Sequence, residues 1–355
     1  MTTEDRTHTM AQRWKRRPEG STWGDYGADD QLGRVNLLTP QKVLEGIREV
    51  QSGRTFCLSL PLDYPGGAVL NPRRGPPRLA PTLQDGCPCF NFPLLRLDGQ
   101  NTDVLCDDQV TLALQYSTQW DAFAHVGAFF DTGDDGVPRK VYYNGYRAGT
   151  DVVGPVDYRP DGDVAQDGPY GARALHIANF AEHGMQGRAV LFDLKKHFGL
   201  ARRSVGYDDL QHVMEADGID LRPGDMVLFR TGFTEVLLRM NRAPDKAVLD
   251  ATGCVLDGRD QRLLQWVDDQ RVAALIADNY AVEGLPAREA LGRRPALPLH
   301  QHCLFKLGVP LAELWWLADL ADWLAGERRT AFLLTAPPLR LPGAVGSPVT
   351  PIATV

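Results

Sequence analysis

The sequence has few cysteines, no Cys-x-x-Cys motif and no long apolar run. Its six cysteines form no Cys-x-x-Cys pair, and Cys87-Pro-Cys89 is too tight for zinc-ribbon spacing, so a cysteine-bound zinc is disfavoured. The chain starts without an apolar leader, which argues against a secretory signal. The longest apolar stretch, Leu311 to Leu324, is interrupted by acidic residues, which argues against a membrane span. We therefore predict a cytoplasmic protein with reduced thiols.

Positive charge is also scarce. The 38 Lys and Arg residues are outnumbered by 45 Asp and Glu, which gives a net charge of -7. An acidic chain is a poor binder of a phosphate backbone, so no nucleic-acid partner is expected. The one basic cluster, Arg13 to Arg17, lies within residues 1–20, which are polar and predicted to form a flexible tail. Residues 21–355 are predicted to form the functional domain.

Turn-forming residues are abundant. Glycine contributes 35 residues and proline 25, a higher share than the roughly 12% of average proteins. Strand-like runs such as 189–193 and 272–277 alternate with helical segments such as 260–269, without a repeat. Residues 299–307 and 312–325 are also predicted to be helical. The pattern indicates a mixed α/β fold in one domain.

The segment from Gln115 to His125 concentrates polar groups that are suited to a site. On a strand, Gln115, Gln119 and Asp121 share one face, because alternate side chains point the same way, and His125 continues the even spacing. Polar groups buried together on one face need partners. A metal ion or a polar substrate would supply them. The alternative is an antiparallel strand with one solvated face.

This segment resembles the signature of the cyclase family, which includes kynurenine formamidases and isatin hydrolases. The family pattern is His-x-Gly-Thr-His-x-Asp-x-Pro-x-His. Thr118, Asp121 and His125 match it, whereas Gln115 and Gln119 stand at the first two histidine positions. A family subgroup with Thr-Gln-Trp-Asp is more similar to this chain. Further segments resemble the family in the expected order, over residues 23–38, 222–232, 277–283, 298–313 and 336–349.

The resemblance implies a single three-layer β/β/α domain of the swivelling, kynurenine formamidase-like type. It also implies a metal-dependent hydrolase that opens a cyclic or aryl amide, imide or lactone bond in a small aromatic or cyclic substrate. One alternative is a metal-free lyase or cyclase that uses His125 and Glu313 as acid and base. Another is a non-catalytic small-molecule binder with a degenerate metal site.

The resemblance further implies a homodimer or homotetramer. The aromatic residues of the 311–324 stretch favour the same conclusion, because Trp315, Trp316 and Trp323 offer more aromatic surface than one helix usually buries.

Related formamidases hold one zinc with the motif's two histidines and aspartate, and a second with that aspartate, a C-terminal histidine and a C-terminal glutamate. Only Asp121, His300 and Glu313 match these ligands here. Gln115 and Gln119 replace the histidines, and an amide oxygen is a much weaker zinc ligand than imidazole. We therefore expect one divalent ion, Mn²⁺ or Zn²⁺, with Gln119 as an additional oxygen ligand. The alternative is complete loss of the metal.

Two residues are predicted to be catalytic. His125 matches the family's proton-transferring histidine, and a neutral imidazole suits that work near pH 7; the alternative is a structural histidine. Glu313 is the second, although an acid near a helix start could simply complement the helix dipole. His302 is expected to be structural, because residues two apart on a helix do not share a face with one another, and His300 has the family spacing to Glu313.

Five residues are predicted to contact substrate. The motif segment supplies amide and aromatic groups, and the end of the buried strand at 272–277 supplies polar ones, since functional loops often follow such strands. Core packing is the alternative for the aromatics, and a turn cap is the alternative for the polar pair. These residues are Gln115, Trp120, Phe123, Asp278 and Asn279.

Overall fold

A nine-stranded mixed sheet is the centre of the fold. The computed structural model describes residues 12–156, 158 and 168–355. The sheet order is β1-β21-β19-β13-β15-β17-β18-β8-β20, with β13, β15, β17 and β18 parallel and the flanking strands antiparallel. The strands are β1 Thr55–Cys57, β2 Arg78–Pro81, β3 Leu83–Gln84, β4 Cys87–Pro88, β5 Phe92–Pro93, β6 Val104–Leu105, β7 Asp108–Thr111, β8 Gln119–Asp121, β9 Ala128–Phe130, β10 Arg139–Val141, β11 Val152–Val153, β12 Gly171–Ala172, β13 Gln186–Asp193, β14 Arg203–Val205, β15 Met226–Arg230, β16 Cys254–Leu256, β17 Ala274–Ala277, β18 Leu311–Glu313, β19 Ala331–Thr335, β20 Gly346–Pro348 and β21 Ile352–Thr354.

The helices are mostly short. They are α1 Pro40–Arg48, α2 Ala178–His183, α3 Leu194–Phe198, α4 Tyr207–Asp217, α5 Phe233–Arg239, α6 Lys246–Asp250, α7 Gln261–Asp269, α8 Pro298–His300 and α9 Ala318–Glu327, and a π-helix over Gln301–Leu307 continues α8. Within the described ranges, no helix combines the length and apolar character that a membrane crossing requires. The predicted mixed α/β class is confirmed.

Local chemistry explains where these elements begin and which face they bury. The Asp260 side chain accepts hydrogen bonds from the backbone N–H groups of Arg262 and Leu263, which satisfies donors at the start of α7. The apolar face of α7 includes Leu263 and Val267, and both are fully buried. The central strands β13, β15 and β17 are buried almost throughout and each contains four consecutive apolar residues, as is typical of parallel strands covered on both faces.

Two predicted elements were wrong. The motif does not form one strand: β7 ends at Thr111, and the chain turns before β8 begins at Gln119. The second error is the helix predicted over 312–325. Leu311–Glu313 is instead a strand, paired with β17 on one side and β8 on the other, and the helix begins only at Ala318. The helix predicted over 299–307 is present, mainly as the π-helix.

Part of the N-terminal segment contacts the rest of the chain. Residues 1–11 of the predicted tail lie outside the described residues. From residue 12 onward the chain packs on the body: the Trp14 ring meets Trp23 edge to face, and Arg13 pairs with Asp29. Residues 13 and 14 therefore contact the rest of the chain, and the flexible tail over residues 1–20 stays a prediction.

The tryptophans of the 311–324 stretch expose less surface than the prediction of an oligomer assumed. Trp315 is fully buried inside its own chain against Trp120, and Trp316 and Trp323 are partly buried. The homodimer or homotetramer remains a prediction. Light scattering at micromolar concentration is expected to give at least twice the 39.2 kDa chain mass, and a monomer mass would contradict it.

Candidate metal centre and active site

Three buried side chains converge from different parts of the chain. Strands β8 and β18 are antiparallel neighbours, with Gln119 opposite Glu313 and Asp121 opposite Leu311. Directly opposed residues and alternate residues share a face, so Gln119, Asp121 and Glu313 all point to one side of the sheet. His300 reaches the same point from α8. One ligand atom from each of Asp121, His300 and Glu313 lies within 4.8 Å of the others.

The orientation of His300 is fixed by a buried glutamate. Glu283 Oε1 accepts hydrogen bonds from His300 Nδ1 at 2.7 Å and from the His300 backbone N–H at 2.9 Å, and its Oε2 accepts the Leu299 N–H at 3.0 Å. Because Nδ1 donates to Glu283, Nε2 is the nitrogen that faces the cluster. It lies 3.4 Å from Glu313 Oε1 and 4.0 Å from Asp121 Oδ2.

The turn that carries Glu283 has a strained backbone. Ala281 and Val282 adopt φ angles of 86° and 57°, a region that residues with side chains seldom occupy. The Glu283 carboxylate also packs so closely on Gly258 that a Cβ there would overlap Oε2. The position of this carboxylate beneath His300 therefore depends on strained backbone at Ala281 and Val282 and on the absence of a side chain at Gly258.

The cluster contains buried acceptors with no hydrogen-bond partner. Within the part of the chain that the structure describes, neither carboxylate oxygen of Asp121 has one, and neither does Gln119 Oε1, although Gln119 Nε2 donates to Glu313 Oε2 at 3.3 Å. Buried acceptors without donors are costly unless something compensates them. A divalent cation would do so. Two carboxylates, one imidazole and one amide oxygen are a donor set that suits Mn²⁺ or Zn²⁺, so the residues present fit one such ion.

Burial and mutual charge shift the pKa values of the cluster. Burial raises the pKa of Asp121 to about 6, against the opposing effects of His300 and Arg74. Burial opposes the charged form of His300, but its hydrogen bonds to Glu283 and Glu313 dominate and raise its pKa to about 10. The cluster on its own thus favours a bound positive charge, here the proton on His300.

His125 stands beside the cluster and is reachable. The turn after β8 closes through a bond from its backbone N–H to Ala122 O, and its Nε2 lies 3.9 Å from Asp121 Oδ1. One fifth of its side chain is exposed, in contrast to the three buried ligands. Burial and the nearby positive charges of His300 and Arg74 lower its pKa to about 4. The imidazole is therefore neutral at pH 7 and can accept a proton.

Residues 64–82, which are rich in proline, glycine and arginine and typical of a surface loop over a pocket, contribute to the rim. Arg74 donates to the backbone carbonyl of Gln115 at 2.9 Å, and Asn71 donates to the Tyr280 hydroxyl at 3.2 Å. The Gln115 side chain lies against Gly346, the partner of Asp121 in β20. Gln115 thus comes near the cluster through a turn and not along the strand. The arginine pair Arg73 and Arg74 within the 64–82 loop was the sequence feature that could have indicated this position near the cluster.

The side chains of four predicted substrate contacts make their packing contacts and hydrogen bonds with groups other than the metal-ligand cluster. Trp120 and Phe123 have no exposed surface; Trp120 donates to Ala336 O, and Phe123 packs edge to face on Phe180. Both belong to the hydrophobic core, and contact with a substrate stays a prediction for them.

The other two residues, Asp278 and Asn279, hold the turn. Asp278 accepts three hydrogen bonds from Thr231 and Gly232, and Asn279 Nδ2 donates to Cys254 O. Asn279 borders a separate cavity of about 250 Å³. His302 donates to Leu264 O at 2.9 Å, outside the cluster.

A known protein family matches more than half of the chain. Residues 58–284 match the model of the Cyclase family, described as "Putative cyclase". The matched range includes Asp121, His125 and Glu283, whereas His300 and Glu313 follow it. A search of curated proteins gave no match.

Solved structures share the fold. A structure described as a novel cyclase is 29% identical, with a TM-score of 0.70, and the alignment covers 94% of this chain and 97% of the other. Isatin hydrolase A from Labrenzia aggregata, bound to benzyl benzoate, is 13% identical with a TM-score of 0.53, covering 85% and 93%. The predicted fold and family resemblance are confirmed: this chain is a single-domain α/β protein that belongs to the cyclase family.

Proposed function

We propose that this protein is a metal-dependent hydrolase that opens a cyclic or aryl amide, imide or lactone bond. The observation that carries the proposal is the set of unpartnered buried oxygens on Asp121 and Gln119, beside Glu313 and the Glu283-oriented His300. Membership of the cyclase family and a fold shared with an isatin hydrolase support it.

In this proposal the cluster and His125 have separate tasks. Asp121, His300 and Glu313, with Gln119 as an additional oxygen ligand, would hold one Mn²⁺ or Zn²⁺. A divalent ion supplies Lewis acidity toward a carbonyl oxygen. His125, neutral at pH 7, accepts the proton of the attacking water and returns it to the leaving nitrogen or oxygen. The substrate is a small aromatic or cyclic molecule that reaches the exposed side of His125.

Metal content tests this proposal against the metal-free alternative. Protein purified without chelator is expected to contain one divalent ion per chain, and chelation is expected to abolish hydrolysis of any cyclic amide or lactone that the purified protein opens, until metal is restored. Two tightly bound zinc ions would contradict the single site. A metal-free protein whose activity ignores chelators and added metals would instead support a lyase or cyclase with His125 and Glu313 as acid and base.

The role of His125 has its own test. His125→Asn is expected to reduce turnover of a hydrolysed substrate by ~10²–10⁴, the usual effect of losing a general acid–base, while metal content stays unchanged. His212→Asn is the matched control, because His212 is exposed on α4, where its ring meets His197. Full activity in His125→Asn would show that His125 does not transfer the proton.

A further inference from the structure

A large cleft is lined by chain segments that directly follow His125 and His300 in the sequence. Its volume is about 900 Å³, within the ~300–1,000 Å³ typical of small-molecule sites. One wall is the β9 segment, with Val126, Ala128 and Phe129, and the other is the loop that precedes α8, with Arg293, Arg294 and Leu297. Phe129 is 71% exposed, so the cleft offers a largely exposed aromatic ring.

Both walls of the cleft are covalently joined to the site. Val126 follows His125 directly, and Gln301, which also lines the cleft, follows His300. Adjacent Cα atoms are about 3.8 Å apart. The cleft therefore begins one residue from the proposed proton-transfer group on one side and one residue from a proposed metal ligand on the other.

The cleft is positively charged in a protein that is negative overall. None of the described residues that line it is acidic, although the chain carries a net charge of -7. Arg293 and Arg294 are exposed, and across the described ranges neither forms an ion pair; Arg294 only donates to Gly292 O at 3.0 Å. The Lys140 ammonium adds a third cation, 5.9 Å from the centre of the Phe129 ring. Uncompensated cations around a concave surface raise the local concentration of anions.

We propose that this cleft binds the substrate through a carboxylate, so that the substrate class is an aromatic or cyclic carboxylic acid; this inference rests on the proposed hydrolase function. The ring packs on Phe129 and Val126, and the carboxylate meets the guanidinium groups of Arg293 and Arg294. Arginine suits this task, because its planar fork donates two parallel hydrogen bonds to one carboxylate. The paired guanidinium groups thus determine specificity, while the chemistry stays with His125 and the cluster.

A pair of probes isolates the charge. Benzoate and benzamide share a ring and differ in the charge of one group, and ligand-observed NMR titration gives a Kd for each on the protein as purified. Benzoate is expected to bind more tightly, and Arg293→Gln/Arg294→Gln is expected to raise its Kd about tenfold or more. The benzamide Kd should not change. The control Arg262→Gln/Arg288→Gln removes the same two charges from exposed arginines that are already paired with Asp208 and Asp257, and it should leave both Kd values unchanged.

Three results would overturn the inference. Equal affinities for the two probes would show that the charge is not read. An unchanged benzoate Kd in Arg293→Gln/Arg294→Gln would place the carboxylate on the metal only. An equal rise of the benzoate Kd in the control variant would show that the effect comes from net charge alone. Because binding is measured without turnover, arginine-dependent benzoate binding in a protein that hydrolyses nothing would refute the hydrolase and keep the carboxylate site. Hydrolysis without that dependence would do the reverse.

Discussion

Replacing Asp121 with asparagine is expected to abolish stabilisation by added metal without destabilising the metal-free protein. Among the described residues, neither oxygen of this buried carboxylate has a hydrogen-bond partner, so the metal-free fold bears a buried polar group without a hydrogen bond. Asparagine removes the charge, and its amide can donate toward the Glu313 carboxylate in the same cluster. For wild type, a metal concentration of 100 times Kd should add about 2.7 kcal/mol to the free energy of unfolding. The variant should gain almost none of it.

The measurement is thermal unfolding with chelator and with graded Mn²⁺ or Zn²⁺. Asp278→Asn is the matched control, since Asp278 is equally buried but accepts three hydrogen bonds. There the new amide would face donors, so the metal-free protein should lose about 1–3 kcal/mol while its metal response remains. A wild-type metal response in Asp121→Asn would remove Asp121 from the ligand set. Severe destabilisation without metal would show that the carboxylate has a structural partner instead.

The residues of the cluster were predictable, but their local structure was not. The resemblance assigned Asp121, His300 and Glu313, and the structure brings their ligand atoms together. Glu313 was nevertheless expected at a helix start. A short apolar run does not distinguish a strand from a buried helix, and Leu311–Glu313 becomes a strand only because β17 and β8 pair with it. These pairings join residues far apart in sequence, so a local pattern cannot reveal them.

The supporting groups escaped prediction for a related reason. Glu283 lies seventeen residues before His300, and only the fold shows that a strained turn carries it under the imidazole ring. Glu283 lies within the 277–283 segment that resembles the family, but the functional role was predicted for Asp278 and Asn279 of the same segment. Trp120 and Phe123 were predicted to contact substrate. Aromatic residues in a polar motif suit a pocket wall and a core equally well, and the fold uses both in the core.

Glu283→Gln is expected to weaken metal binding by about 10- to 100-fold, although Glu283 is not itself a ligand. Groups that orient a ligating histidine usually have effects of that size. Glu283 accepts from three N–H donors, two of them on His300. A glutamine keeps one acceptor oxygen and turns an NH₂ group toward the remaining donors, so at least one buried N–H loses its partner. That loss should also cost about 1–3 kcal/mol of stability.

Metal affinity and stability must therefore be separated. Competition with a chromophoric chelator gives the metal Kd, and unfolding in the presence of excess chelator gives the stability of the metal-free protein. Ile219→Val is a suitable control, because it trims a buried side chain that follows α4, away from the cluster, and should cost about 0.5–1.5 kcal/mol with an unchanged metal Kd. If Glu283→Gln lowers stability but leaves the metal Kd at the wild-type value, the glutamate only supports the turn. If the Kd rises as expected, Nδ1 donation to Glu283 is what presents Nε2 to the ion, and the strained backbone at Ala281 and Val282 serves the site.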